Sequence, residues 1–169
     1  ADVPVVSSLA DSVAFYWESL GTPQRCLLRR GLAGRSWSLG TACSGSDSVV
    51  FVLEHIGRSC GWESTHTLSC ESHPEKQAWA RGNIPPVVLA FPDICQLHTG
   101  RCLNVVTGLE ADVPSAVISI DGVVCKSVSS ENKQRVAHGD CIAAGTGKTG
   151  STFEGLRRCV EKVRPKIVI

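Results

Sequence analysis

Two acids and one cysteine follow apolar runs of the sequence, at positions where short strands would end. Glu71 follows "HTLSC", Asp93 follows "PVVLAFP", and Cys125 lies in a polar stretch after "AVISI". A carboxylate at such a position can accept hydrogen bonds from ribose hydroxyls, and a thiolate is a nucleophile when its surroundings lower its pKa. Cys125 is therefore either a nucleophile held at the end of a strand or one more of the nine thiols in the chain.

A small, glycine-containing loop, "ACSGSD", precedes the first of these acids and includes Ser44 and Gly45. Such a loop lets a ligand approach the backbone and the amino terminus of the helix that follows. Two acids beside one glycine loop fit a neutral or cationic nucleoside cofactor better than a polyphosphate. Taken singly, the same residues would be interpreted as helix caps and turn acids.

From Trp37 onward, short β-prone runs alternate with helical segments. This alternation predicts an α/β fold with a mainly parallel sheet, in which ligands bind at the carboxyl ends of the strands. Helix caps are predicted at Ser46 or Asp47 and, as capping boxes, at Ser72 with Glu75 and at Ser151 with Glu154. The predicted strands are "SWSLGTAC", "HTLSCE", "PVVLAF", "AVISI" and "KIVI", and the helices are "SDSVVFVLEHIG", "SHPEKQAWARGN" and "FEGLRRCVEKV".

The first 36 residues are predicted to form a helical extension to an α/β domain that covers residues 37–169. Leu9, Val13 and Leu20 recur at helical spacing, and "GTP" at positions 21–23 would end that helix. The next segment, "RCLLRRGLAGR", carries four arginines, which either meet a phosphate backbone or form a solvated face.

The amino-acid composition and net charge limit the classes of protein to which this chain can belong. A net charge of +1 with 20% charged residues implies neither a nucleic-acid binder nor an acidic partner on electrostatics alone. The longest apolar run, "PPVVLAF", is far shorter than the roughly 18 residues that a membrane span needs. Nine scattered cysteines favour a reducing, intracellular compartment. The chain has no methionine, so Ala1 is not a translational start, and either a leader was removed or the sequence is a fragment.

Two other sequence patterns resemble a phosphate-binding loop and a metal site, but neither has the spacing that such a site needs. "IAAGTGKTG" ends like a phosphate-binding P-loop, but Ile142 stands where the motif needs its first glycine, and we expect a flexible loop there instead. Cys60, Cys70 and His73 lack the paired spacing of a zinc site, so no metal is predicted.

The ordered series "GTACSGSDSVVFVLE", "SCESHPEKQAWARGNIP", "FPDI", "AVISIDGVVCKSVS" and "GSTFEGLRRCVEKVRPKIVI" resembles the motifs of the cytosine-5 DNA methyltransferases. The resemblance covers roughly residues 37–169. It implies a Rossmann-like fold that binds S-adenosylmethionine and is incomplete at its C-terminal end. By this resemblance the cofactor loop would hold Ser44 and Gly45, the ribose would meet Glu71, the adenine would lie between Asp93 and Ile94, and the nucleophile would be Cys125.

The family's thiolate adds to carbon 6 of a cytosine flipped out of DNA, which makes carbon 5 nucleophilic enough to accept a methyl group. This chain departs from the family at several points. Thr41 replaces an acid on the first strand, and "VVCK", with Val124 and Lys126, replaces the usual "PPCQ". Lys126 would either supply a positive field for the thiolate or point into solvent. The family's catalytic glutamate, in an "ENV" motif, would come just after "KIVI", where the sequence ends.

Two functions are compatible with these observations. In the first, the chain is the cofactor-binding part of a nuclear DNA (cytosine-5)-methyltransferase, active only when the missing part is supplied by the same gene product or by a partner. In the second, it is a degenerate methyltransferase fold kept as a non-catalytic subunit, in an organelle if a leader was removed. Protein partners would then dock at the edge of the strand "KIVI". In both cases we expect no methyl transfer from these residues alone.

Overall fold

A computed structural model describes residues 8–43, 45–84, 89–123 and 140–169. Ser44 and Cys125 therefore lie outside the described residues. The elements, in chain order, are α1 (Leu9–Ser19), α2 (Thr22–Leu32), β1 (Ser36–Ala42), α3 (Ser48–Cys60), β2 (Glu63–Cys70), α4 (Pro74–Asn83), β3 (Leu89–Phe91), a 3₁₀ helix (Ile94–Thr99), β4 (Arg101–Asn104), β5 (Leu109–Asp112), β6 (Ile118–Asp121), α5 (Asp140–Ala143), α6 (Gly147–Val163) and β7 (Ile167–Val168).

The main sheet within these ranges has five strands in the order β3-β2-β1-β6-β7. Every neighbouring pair is parallel, which confirms the predicted α/β fold with a mainly parallel sheet. Ala42 of β1 pairs with Cys70 of β2 on one side and with Asp121 of β6 on the other. The carboxyl ends of the three central strands thus meet at one edge, where the order of the chain through the sheet reverses and a Rossmann-like fold binds its ligand.

Helices cover both faces of the sheet, and each face has its own buried cluster. Leu39 of β1 and Trp17 of α1 belong to the first cluster, and Phe91 of β3 belongs to the second. The other buried members are Val50, Cys60, Trp62, Ala80, Ile84 and Ile118 in the first cluster, and Ala42, Leu68, Cys70, Ile94, Leu97 and Cys102 in the second. Helix α6 packs on the second cluster through Leu156 and Cys159.

The predicted first helix is confirmed as α1. The Ser8 hydroxyl caps it by accepting a hydrogen bond from the Asp11 amide at 3.1 Å. Two of the four arginines of the following segment bind protein groups. Arg25 pairs with Glu18 at 2.7 Å, and Arg29 donates to the Ser59 carbonyl at 3.0 Å while lying over the Trp17 ring. These contacts tie α2 to α1 and α3, whereas the domain boundary at residue 36 stays a prediction.

The predicted helix caps agree with the structure only in the position of Asp47, which is the N-cap residue of α3. Asp47 does precede α3, but its side chain makes no cap bond there, and its carboxylate accepts from the Ser69 hydroxyl at 2.6 Å instead. Helix α4 begins after His73 with Pro74 in its first turn, so Ser72 and Glu75 form no capping box. The helix starts one residue later than predicted, so Ser72 precedes the cap position and Glu75 is the second helical residue instead of the third that a capping box needs.

Helix α6 begins earlier than predicted, at Gly147. The "GKTG" residues are therefore its first turn and not a flexible loop. Ser151 lies inside the helix, where its hydroxyl donates to the Lys148 carbonyl at 3.3 Å. Glu154 pairs with Arg157 and Arg158 at 2.7 and 2.8 Å, so the predicted capping box at Ser151 does not exist.

A 3₁₀ helix and a small antiparallel hairpin, β4–β5, lie between β3 and β6, where the sequence predicts no element. The buried Asn104 side chain attaches the hairpin to the sheet, because its amide oxygen accepts from the Ala90 amide at 3.1 Å. Among the described helices, none is long and apolar enough to cross a membrane.

Close packing at the end of α3 predicts a specific effect of Gly57→Ala. A β-carbon at Gly57 would collide with the Trp62 ring and lie 3.0 Å from the Trp62 carbonyl oxygen. We expect the free energy of unfolding to fall by about 1–3 kcal/mol, because Trp62 belongs to a buried cluster and must shift. Urea denaturation would measure this loss.

Gly82→Ala is the matched control for this substitution. Gly82 is also helical, but its β-carbon would meet no atom within 4 Å. Alanine should therefore leave stability unchanged or raise it by up to about 1 kcal/mol. Equal effects of the two substitutions would show that the packing around Gly57 is not as described.

Candidate functional site

An open cleft lies at the carboxyl ends of β1, β2 and β3. It holds about 1040 Å³ of empty space, including its solvent-filled mouth. Three predicted site residues, Glu71, Asp93 and Ile94, line this cleft together, and Gly45 lies beside it in the loop after β1. The other lining residues are Cys43, Cys70, Ser72, His73, Lys76, Cys95, Lys148, Ser151 and Thr152.

Glu71 is the best-held of these side chains. It directly follows β2, and its own amide donates to the Phe91 carbonyl at 3.1 Å, which aligns it with the end of β3. Its Oε2 accepts from the Gly45 amide at 3.1 Å, and its Oε1 accepts from the His73 amide at 2.9 Å. Each carboxylate oxygen has a second lone pair, so both can accept one further hydrogen bond from a ligand hydroxyl.

The loop after β1 has an unusual backbone. Cys43, Gly45 and Asp47 all have positive φ, at 55°, 71° and 52°. Only glycine adopts this region freely, so Cys43 and Asp47 each hold strain on the order of 1 kcal/mol. Hydrogen bonds from the Cys43 amide to the Cys70 carbonyl, at 2.7 Å, and between Asp47 and Ser69 hold this conformation in place.

Asp93 occupies the equivalent position after β3. Its Oδ1 accepts from the Cys95 amide at 2.9 Å and thereby caps the 3₁₀ helix. Ile94, with 5% of its surface exposed, is packed in the second buried cluster and also forms part of the cleft wall. The 3₁₀ helix thus fixes a carboxylate next to an apolar surface, an arrangement suited to a flat, polar-edged ring.

The described cysteines of the cleft are poor nucleophiles. Burial, followed by the charge of Glu71, raises the pKa of the Cys43 thiol to about 11. Burial also raises the pKa of the Cys70 and Cys95 thiols. These thiols stay protonated near neutral pH, and a protonated thiol is not a nucleophile. None of them is therefore an alternative to Cys125, whose role stays a prediction.

Thr41, which stands where the resemblance implied an acid, does not line the cleft. Its hydroxyl is buried against His66, with 2.9 Å between Oγ1 and Nε2. Burial lowers the pKa of the His66 imidazole, so the pair is a neutral hydrogen-bonded contact beneath α3.

Two lysines in the cleft were missed by the sequence reasoning. Lys76 reaches it from the first turn of α4, and Lys148 reaches it from the first turn of α6. Lys148 was visible only as part of the misleading "GKT" motif, and no sequence signal distinguished Lys76. In the described ranges, no group of three or more histidine, cysteine or acidic side chains is placed to hold a metal ion.

Asp121 ends β6, the strand beside β1, and faces α6. The Ser119 hydroxyl donates to its carboxylate, at 3.0 Å from Oδ2. A small apolar pocket adjoins it, lined also by Ala42, Cys159 and Val163. Burial raises the pKa of the Asp121 carboxyl from 3.8 to about 6, although the bond from Ser119 opposes this shift.

Comparison with known proteins supports a methyltransferase-like chain. In an alignment of 149 positions that covers 84% of the chain, it is 34% identical to "DNA (cytosine-5-)-methyltransferase DMT5" of Cryptococcus neoformans var. grubii. The chain spans 6% of the length of that protein. No protein-family model matches the chain. The similarity and the five-stranded parallel sheet together support a cytosine-5-methyltransferase-like chain with a Rossmann-like fold.

The raised pKa of Asp121 predicts how stability depends on pH. Because its folded-state pKa lies above the unfolded value, the protonated carboxyl stabilises the fold below about pH 4, and this contribution is lost as the pH rises through about 6. Allowing for partial exposure, we expect a loss of roughly 1–2 kcal/mol across this range. Urea denaturation at pH 4 and pH 7 would measure it.

Asp121→Asn should remove this part of the pH dependence, because asparagine stays neutral throughout. Asp112→Asn, at an exposed carboxylate of β5, is the control and should leave the dependence as it is. If Asp121→Asn and the unchanged protein lose the same stability between these pH values, the Asp121 carboxylate is not destabilised by its surroundings.

Proposed function

We propose that this cytosine-5-methyltransferase-like chain is the S-adenosylmethionine-binding part of a DNA (cytosine-5)-methyltransferase. The observation that carries the proposal is the meeting of Glu71, Asp93 and the Gly45 loop in one cleft at the carboxyl ends of three adjacent parallel strands. The similarity to a fungal DNA (cytosine-5-)-methyltransferase supports the same assignment. Because the chain spans 6% of that relative, we propose that methyl transfer also requires segments beyond these residues.

The cleft residues fit the chemical groups of this cofactor. Glu71 has two fixed oxygens that can accept from the two ribose hydroxyls. Asp93 can accept from the amino group of the adenine, while Ile94 offers an apolar contact to the ring. Gly45 has no side chain, so the rest of the cofactor can approach the loop backbone. When bound, the cofactor supplies an activated methyl group on a sulfonium.

Cys125 is the proposed nucleophile toward carbon 6 of a cytosine in DNA. It follows β6 in the sequence, and the carboxyl end of β6, at Asp121, lies directly beside that of β1, at the same edge of the sheet as the cleft. A nucleophile at this edge and a methyl donor in the cleft would both react with the same cytosine. DNA is then the substrate, and the nucleus is the expected location.

A second candidate function is a non-catalytic subunit of a larger assembly. It is favoured by the residues on either side of Cys125, which are Val124 and Lys126 and not the proline and glutamine of the motif that the sequence resembles. A proline before the cysteine would fix the backbone angle that presents the thiol, and Val124 does not. Within the described residues, β7 is an apolar edge strand of the sheet, and its Ile167 and Val168 are 40% and 47% exposed. An unpaired apolar edge strand favours pairing with a partner protein.

Calorimetry tests the cofactor assignment. The chain should bind S-adenosylmethionine, and Asp93→Asn should weaken binding about 5- to 20-fold. Asparagine can keep the cap bond to Cys95 but loses the charge that accepts from the adenine amine. Glu75→Gln, which removes an exposed carboxylate of α4 outside the cleft, should bind normally. No measurable heat up to millimolar cofactor would refute the assignment.

Covalent trapping on DNA that contains 5-fluorocytosine tests the role of Cys125. We expect no adduct from this chain alone, but an adduct from the full-length gene product if the first function is right. Cys125→Ser in that longer protein should abolish it, because the hydroxyl is a far weaker nucleophile than a thiolate. Denaturing electrophoresis would detect the adduct. Its absence from the full-length protein in the presence of cofactor would favour the non-catalytic subunit.

A further inference from the structure

The side chain of Lys76 lies over the loop that follows β1. Its Nζ is 3.9 Å from the position that a β-carbon on Gly45 would take. We propose that Lys76 binds the carboxylate of the amino-acid tail of the cofactor and so selects nucleosides that carry this carboxylate. The proposal rests on the function proposed above, since it assigns one end of the same cleft.

The position of Lys76 corresponds to the tail end of such a ligand. In Rossmann-like sites the acid after the second strand meets the ribose, and the loop after the first strand meets the part of the ligand beyond the ribose. Glu71 and Gly45 are directly hydrogen-bonded, at 3.1 Å, so the ribose end and the loop are adjacent. A group that leaves the ribose across Gly45 would come within reach of the Lys76 ammonium.

The ammonium of Lys76 is available for a ligand. In the part of the chain that the structure describes, Lys76 makes no ion pair and no side-chain hydrogen bond. Glu71, the acid beside Gly45, already accepts from two backbone amides and does not pair with it. A lysine ammonium is a compact charge with three donors, which suits a single carboxylate at the open end of a cleft.

The cofactor is the ligand whose charges match both ends of this cleft. Its adenosine half offers hydroxyls and an amine to the fixed carboxylates of Glu71 and Asp93, and its tail ends in a carboxylate. A DNA phosphate would also attract Lys76, but it brings no positive charge to offset its repulsion by those two acids, whereas the amino-acid tail of the cofactor carries an ammonium beside its carboxylate. Contact with DNA is therefore the less favourable use of this lysine, and the experiment below separates the two.

Three neutral-sulfur ligands isolate the contribution of the carboxylate. S-adenosylhomocysteine has the complete tail, S-adenosyl-3-thiopropylamine lacks only the carboxylate, and 5′-methylthioadenosine lacks the whole amino-acid part. By calorimetry, the unchanged chain should prefer the first over the second by about three- to tenfold, because a charge-assisted hydrogen bond at an exposed site has this strength. Lys76→Gln should reduce that preference to less than about twofold and leave 5′-methylthioadenosine binding unchanged.

Lys162→Gln is the control, because it removes the same charge from the last turn of α6, and Lys162 does not line the cleft. It should preserve the preference for the carboxylate. Thermal unfolding of both variants verifies that they are folded, as expected for an exposed lysine in a helix.

The outcomes separate the two levels of the proposal. If 5′-methylthioadenosine does not bind the unchanged chain, the proposed cofactor site is wrong and the assignment of Lys76 is wrong with it. If 5′-methylthioadenosine binds but Lys76→Gln keeps the full preference for the carboxylate, the assignment of Lys76 alone is overturned. The same holds if Lys76→Gln weakens only binding to duplex DNA, which would make the lysine a phosphate contact.

Discussion

The carboxylate of Glu71 connects the parts of this molecule that make a site. It accepts one hydrogen bond from the loop after β1 and one from the start of α4, while its own amide is bonded to the end of β3. The loop after β1, the start of α4 and the end of β3 therefore converge on one buried residue. Because a polar group that is buried without hydrogen-bond partners costs free energy, the position of Glu71 depends on all three segments, and theirs depends on it.

This constraint explains why the loop after β1 tolerates strain. Cys43 and Asp47 have positive φ on either side of Gly45, and such angles persist only where surrounding bonds determine the backbone. The hydrogen bonds from the Gly45 amide to Glu71 and from the Ser69 hydroxyl to Asp47 fix the backbone of this loop. The loop is thus held open before any ligand arrives, which reduces the entropy that a ligand must lose to bind. A cleft with two fixed acids and two lysines then matches a ligand with a polar nucleoside at one end and an anionic group at the other.

The cysteines show that the reactivity of a residue depends on its environment in the tertiary structure. Eight described cysteines are free, and those of the cleft lie against apolar side chains and carboxylates that keep them protonated. They behave as small apolar residues of the core, since burial raises their pKa. A nucleophile in this chain would need a different environment, and Cys125, which follows β6 in the sequence, is the residue that we propose for this role.

The alternation of β-prone and helical runs was sufficient to predict the parallel sheet. Two parallel strands need a crossover connection between them, and a helix in that connection also covers one face of the sheet. The acids after β2 and β3 were found for the same reason, since the carboxyl ends of parallel strands share one edge. The caps at Ser72 and Ser151 were mispredicted, because α4 starts one residue later and α6 starts earlier than the local patterns indicate. Asn104 and the β4–β5 hairpin went unpredicted, because that hairpin is attached to β3 by a side chain distant in sequence.

Residue types and their order therefore determined the fold and the acidic rim. Only the tertiary structure decided that Lys76 and Lys148 join that rim, because each lies on a helix whose orientation depends on packing against the sheet.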